Sequence, residues 1–126
     1  MILHGDGAKP IYIQIKEWLE TEILSGKIKA DQKIYSQYQL AEMYNINPAT
    51  AAKGLNILAE ETILYKKRGL GMFVSNEARE IILMKRKNTT LKNLVRDLVG
   101  EAKRLEVSEP ALIEMIKIAN SEEENK

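Results

Sequence analysis

Thr50, Lys53 and Asn56 follow one another at intervals of three residues, with Ala49 just before them. On a helix that spacing sets small and hydrogen-bonding side chains along one face. Such a face suits close approach to base edges. A lysine there can meet a guanine or a phosphate, and an asparagine an adenine edge or a phosphate. Further on, Lys66-Lys67-Arg68 places three cations beside Gly69-Leu70-Gly71, a combination that fits a sugar–phosphate backbone or a minor groove. Taken alone, each cluster reads more simply as a wet helix face and a solvated turn. Their order in the chain is what joins them.

Other chemistry is poorly supplied. Cysteine is absent and His4 is the single histidine, which argues against thiolate or multi-histidine metal sites and against Ser-His-Asp catalysis. Arg68-Gly69-Leu70-Gly71 is a hairpin turn rather than a phosphate loop, and no nucleophile–base pair stands out. The sequence therefore predicts no enzyme, no cofactor and no metal, and His4 reads as a bystander.

The elements that must position these residues come from the hydrophobic periodicity. Residues 1–9 read as a loose arm. Pro10 suits the start of a helix carrying Ile11, Ile15, Trp18, Leu19 and Ile23 on one face, closed by Ser25-Gly26. Residues 27–35 form a short link anchored by Ile28 and Ile34. Ser36 opens a second, brief helix in a capping box with Gln39, and Leu40, Ala41 and Tyr44 form its apolar face. Asn47-Pro48 opens a third helix, with Ala51, Gly54, Leu55 and Leu58 facing inward, opposite Ala49, Thr50, Lys53 and Asn56. The period then changes. Ile63-Leu64-Tyr65-Lys66 and Met72-Phe73-Val74-Ser75 read as two strands of a hairpin whose connection uses Gly69 and Gly71.

From Glu77 the pattern is helical again. An apolar stripe runs through Ile81, Ile82, Met84, Leu91, Leu94, Val95, Leu98, Val99, Ala102 and Leu105, with a kink or break at Asn88-Thr89-Thr90. Lys85-Arg86-Lys87 reads as the wet face of this helix. Ser108 caps a last helix, with Pro110 in its first turn and Leu112, Ile113, Ile116 and Ala119 on its apolar face; residues 121–126 read as a polar tail. The expected fold is mainly α with a small β-hairpin. A winged helix-turn-helix domain spans residues 1–76, and a C-terminal two-helix dimerisation segment spans 77–126.

The 126-residue chain carries a net charge of +1. Residues 1–76 hold nine basic and eight acidic side chains, and residues 77–126 hold ten of each. Any electrostatic attraction must therefore be local. The longest aliphatic run, Ile81-Ile82-Leu83-Met84, is far shorter than the roughly 20 residues that cross a bilayer, and the opening Met-Ile-Leu-His-Gly-Asp-Gly lacks the features of a signal peptide. A cytoplasmic protein without a membrane partner is expected.

A short helix, a tight turn, a third helix with a polar outer face and a basic hairpin make a winged helix-turn-helix, whose third helix can enter a major groove. The candidate contacts on duplex DNA are Tyr35, Ser36, Gln37 and Tyr38 at the second helix start, then Asn47, Ala49, Thr50, Lys53 and Asn56 on the third helix. The wing adds Lys66, Lys67, Arg68, Gly69, Leu70 and Gly71. The rings of Tyr35 and Tyr38 could equally pack against the first helix.

Residues 10–75 also resemble the DNA-binding domain of the GntR family of bacterial transcription regulators. The resemblance lies in Pro-Ile-Tyr-Ile-Gln-Ile (10–15), Ile-Leu-Ser-Gly-Lys-Ile (23–28), Gln-Leu-Ala-Glu-Met-Tyr-Asn-Ile-Asn-Pro-Ala-Thr (39–50) and Lys-Arg-Gly-Leu-Gly-Met-Phe-Val (67–74). Asn-Pro-x-Thr and the short helical tail are most similar to its YtrA branch. The resemblance implies a two-fold dimer on an inverted-repeat operator, usually repressing transcription. Gln37 and Tyr38 stand where the family often has an acidic residue and an arginine, and Ala51 and Ala52 where it often has valine and a basic residue. These departures bear on the operator sequence rather than on the fold.

The stripe on the tail is too rich to leave wet, so pairing with a second copy is the preferred outlet. The candidate dimer contacts are Ile81, Met84, Leu91, Leu94, Val95 and Leu98, with Leu112, Ile113 and Ile116 from the last helix. About 50 residues are too few to enclose a drug-sized pocket within one protomer, which leaves a small effector site between protomers open. The alternative function is a winged-helix adaptor that binds another protein without binding DNA.

Overall fold

The computed structural model describes residue 3 and residues 9–126. The expected loose arm, with His4, lies outside these apart from Leu3, which packs against the core, and Lys9, whose ammonium meets Glu17 at 2.9 Å. The chain divides into two compact units, the first running to Lys85 and the second being Arg86–Lys126.

The first unit opens with α1 (Ile11–Leu24). The carbonyl of Pro10 accepts from the N–H groups of Ile13 and Gln14 at 3.1 and 3.2 Å, so the proline launches the helix as its fixed φ allows. Gly26, at φ +83°, turns the chain out of it. Helix α2 (Gln37–Tyr44) starts in the expected capping box: Ser36 Oγ accepts from the Gln39 N–H, and the Ser36 N–H donates to the Gln39 side chain. Asn45 ends α2 in the left-handed region, and Asn47 then caps α3 (Pro48–Glu60) by accepting from the Ala49 N–H at 2.8 Å.

The hairpin pairs β1 (Leu64–Lys67) with β2 (Gly71–Val74) in antiparallel register, Leu64 opposite Val74 and Lys67 opposite Gly71. Both strands lie one residue from the expected limits, because the turn closes on Lys67 and Gly71 and leaves Arg68, Gly69 and Leu70 at its tip. The link read as irregular does more than anchor. Lys33 bridges Phe73, Ile34 donates to the Met72 carbonyl at 2.9 Å, and the Gln32 carbonyl accepts from Val74 at 2.9 Å. Residues 31–34 thus lie along β2 as a third edge.

The core joins Ile15, Leu19 and Ile23 of α1 to Leu40, Ala51, Leu55 and Leu58, to Ile28 and Ile34 of the link, and to Ile63, Leu64 and Val74 of the hairpin. Gly54 is what lets α3 lie close on α1: a β-carbon there would stand 2.8 Å from the Tyr12 carbonyl oxygen. Trp18 packs as expected, its ring 6.0 Å from Tyr35 in a stacked arrangement and 5.4 Å edge-on from Tyr44.

The compact unit does not stop at Asn76. Helix α4 (Ala78–Lys85) buries Ala78 and Ile82 completely in the same core, with Ile81 packed against it. Lys85, expected on a wet face, instead reaches the buried Glu20 of α1 and Glu61 at the end of α3. Lys16 joins them, 3.6 Å from Glu20 and 3.9 Å from Glu61. The Lys85 ammonium is pulled two ways. Burial lowers its pKa, but the hydrogen bonds to Glu20 and Glu61 outweigh burial and raise it above the ordinary 10.5.

In the second unit, a π-helical turn (Arg86–Leu91) precedes α5 (Lys92–Arg104). It holds the Asn88-Thr89-Thr90 segment, where the sequence marks a kink or break. Ser108 caps α6 (Glu109–Glu124) by accepting from the Ala111 N–H at 3.3 Å, with Pro110 in the first turn. Residues 121–124 continue this helix, so most of the expected polar tail is helical. Its carboxylates stay exposed and wet, and nothing in that run breaks the backbone pattern.

Candidate nucleic-acid interface

All fifteen residues singled out for DNA contact lie in the first unit, and none of them is buried. Lys53 and Asn56 are exposed on α3, Ala49 is exposed beside them, and Thr50 is half-buried. Their opposite face, Ala51, Gly54, Leu55 and Leu58, is buried, so core packing fixes the rotation of the helix and turns the polar face outward. The Asn47 side-chain oxygen is committed to its own helix, which leaves the amide nitrogen to donate elsewhere.

Lys53 is not an extended arm. Its Nζ lies 4.1 Å from the centroid of the Tyr12 ring on α1. The ring's negative face attracts the ammonium and holds it near the helix surface. Tyr12 was no candidate in the sequence, since nothing local links residues that far apart.

A groove of about 350 Å³ brings the other two groups together. Tyr35, Ser36, Gln37 and Tyr38 line it from the start of α2, and Lys66, Lys67, Arg68, Gly69 and Gly71 from the hairpin. Helix α3 contributes Leu55; its polar face is not part of the lining. Leu70 also stays out, exposed at the hairpin tip. Tyr35 stacks its ring on Trp18 and is 36% exposed, whereas Tyr38 is 69% exposed. Ser36 accepts from Gln39, so its hydroxyl proton remains for an outside acceptor.

The charged lining of the groove is wholly cationic: Lys33, Lys66, Lys67 and Arg68. Lys67 lies 4.5 Å over the Phe73 ring. Nearby, the Tyr65 hydroxyl donates to Asp31 at 2.9 Å. That bond, more than burial or charge, raises the tyrosine above its ordinary value of 10.0. No cluster of metal-ligating side chains occurs among the described residues, and no helix among them is long and apolar enough to cross a membrane.

In the second unit, Leu91, Leu94, Val95 and Leu98 are 41–58% exposed, as are Ile113 and Ile116 at 43% and 50%. Leu112 is half-buried. Of the candidates in the first unit, Met84 is 66% exposed, while Ile81 packs against that unit's core.

Comparison with known proteins agrees with this arrangement. The family model "Bacterial regulatory proteins, gntR family" matches residues 11–74. The chain is 32% identical over 108 residues to the HTH-type transcriptional repressor YtrA of Bacillus subtilis, covering 86% of this chain and 82% of YtrA. It is 38% identical over 71 residues to the repressor NagR of the same organism, covering 56% of this chain but only 29% of NagR. Among solved structures, a GntR family transcriptional regulator from Listeria monocytogenes superposes with a TM-score of 0.73 at 30% identity, covering 89% of this chain and 96% of that one. A structure described as AraR(DBD) in complex with operator ORX1 superposes with a TM-score of 0.54 at 31% identity, covering 59% of this chain and 93% of that one. The helix-turn-helix, the basic hairpin and the short helical tail thus share one origin: the chain belongs to the gntR family of bacterial regulatory proteins and is YtrA-like among them.

Proposed function

We propose that this protein is a homodimeric, sequence-specific DNA-binding repressor that acts in the cytoplasm on an inverted-repeat operator. The observation that carries the reading is the joint exposure of two surfaces in one compact unit: the α3 face with Thr50, Lys53 and Asn56, and a groove whose charged lining is entirely cationic. A helix of that width fits the major groove, and cations beside it neutralise phosphates. The similar AraR domain is described in complex with an operator, and YtrA and NagR as repressors.

The partner that completes the assembly is a second copy. Leu91, Leu94, Val95 and Leu98 recur at three- and four-residue steps, each with two fifths or more of its surface open. An apolar helix stripe of this kind is rarely left in water. Two-fold pairing would give a palindromic operator, its half-sites about one helical turn apart or a multiple of it.

Footprinting on the DNA upstream of the protein's own gene tests this. Protection of a symmetric site, with affinity falling steeply as salt rises, is the expected result. Binding that ignores salt, or no protection with a folded protein, would reject it in favour of the adaptor reading.

A further inference from the structure

We propose that Lys33, outside the helix-turn-helix and the wing, is a further DNA-binding residue: with Lys67 it forms a two-lysine seat for a backbone phosphate over Gly71. The inference rests on the DNA-binding reading above and adds a residue that no motif points to.

The register places it. Lys33 bridges Phe73, and Phe73 pairs with Tyr65. Directly opposed residues share a face of a sheet, so Lys33, Phe73 and Tyr65 lie together. Lys67, two residues after Tyr65, joins that face by alternation, and its Nζ does lie 4.5 Å over the Phe73 ring. Across the hairpin from Lys67 stands Gly71. A β-carbon on Gly71 would meet Lys33 Cε at 3.0 Å and Nζ at 3.7 Å. The end of the Lys33 side chain therefore occupies the space that glycine leaves empty, and Lys67 flanks Gly71 from the other strand.

The Lys33 ammonium beside Gly71 and the Lys67 ammonium over Phe73 put two like charges on one face of the sheet, and an anion bound to both relieves their repulsion. The carboxylate closest in sequence, Asp31, accepts from the Tyr65 hydroxyl, and Lys33 forms no ion pair among the described residues. Both lysines line the groove shared with the start of α2. A phosphate can accept from both at once, and the missing side chain at Gly71 is what lets the Lys33 ammonium lie on this face.

The test is Lys33→Met, which keeps the alkyl stem and removes the charge, measured by fluorescence anisotropy on the DNA upstream of its own gene and on a random-sequence duplex. Lys33 is exposed, so the melting temperature should not move. The expected result is affinity lower by about fivefold on both duplexes, with the slope of log K against log salt flatter by about one. Lys33→Arg should restore that slope, and bound DNA should protect Lys33 from acylation in lysine footprinting. Unchanged affinity and slope in Lys33→Met, while the unaltered protein binds, would overturn the seat alone. So would a loss confined to the operator, which means base reading. Failure of the unaltered protein to bind either duplex would overturn the DNA-binding reading and the seat together.

Discussion

The ammonium of Lys53 sits 4.1 Å from the centre of the Tyr12 ring, so the central polar residue of α3 is steadied by α1. A lysine held this way loses less freedom on meeting DNA than a free one. Lys53→Ala should weaken operator binding by about 1–3 kcal/mol if the lysine reads a base. Titrations on operator and random duplex decide the role. Loss on the operator alone marks base reading, equal loss on both marks a phosphate contact, and no loss removes Lys53 from the interface.

Tyr12 also governs how closely α3 can approach. Its carbonyl oxygen stands 2.8 Å from where a β-carbon on Gly54 would be. Gly54→Ala favours the isolated helix but forces α1 and α3 apart. We expect a net destabilisation of about 1–3 kcal/mol in denaturant unfolding. A variant as stable as the original would show that the helix pair yields at no cost.

The Lys85 bridge should fade in alkali. Its pKa is raised above the ordinary 10.5, so its contribution is complete below that pH and is lost as pH climbs through the raised value. Lys85→Met takes one cation from the buried Glu20, which keeps Lys16 at 3.6 Å, and should cost about 2–3 kcal/mol near neutrality. Unfolding curves of the two proteins should converge above pH ~10.5. A gap that stays constant into that range would mean that the ion pair is not its source.

Where the chain is cut should decide what is lost. Ending it after Asn76 removes Ala78 and Ile82 from the core; loss of the Ile82 side chain alone is worth about 2–5 kcal/mol. Ending it after Lys85 keeps the core whole and discards the exposed stripe on α5 and α6. Residues 1–85 should therefore unfold cooperatively and sediment as a monomer, while residues 1–76 melt at lower temperature. A dimer of residues 1–85 would take the pairing role away from the second unit.

Much of this was legible in the sequence because its signals are local. Ser36 and Gln39 define a capping box within one turn, Asn47-Pro48 starts α3, and the spacing of Ala51, Leu55 and Leu58 fixes which face is buried. That in turn fixes which face shows Thr50, Lys53 and Asn56. Backbone bonding and helical period act over three or four residues, so the code for them lies within three or four residues. The same reasoning gave the hairpin from Gly69 and Gly71, within one residue of its limits.

What the tertiary structure decided are the meetings between distant segments: Tyr12 with Lys53, Lys85 with Glu20 and Glu61, and Lys33 with the hairpin. Each joins side chains that period and motif assign to unrelated elements. Lys85 looked like part of a wet basic run because its sequence neighbours are charged, yet its partners lie on α1 and at the end of α3. A lysine's reach and charge are the same everywhere in a sequence. Only the packing of helices and strands determines which ring, carboxylate or empty glycine surface comes within that reach.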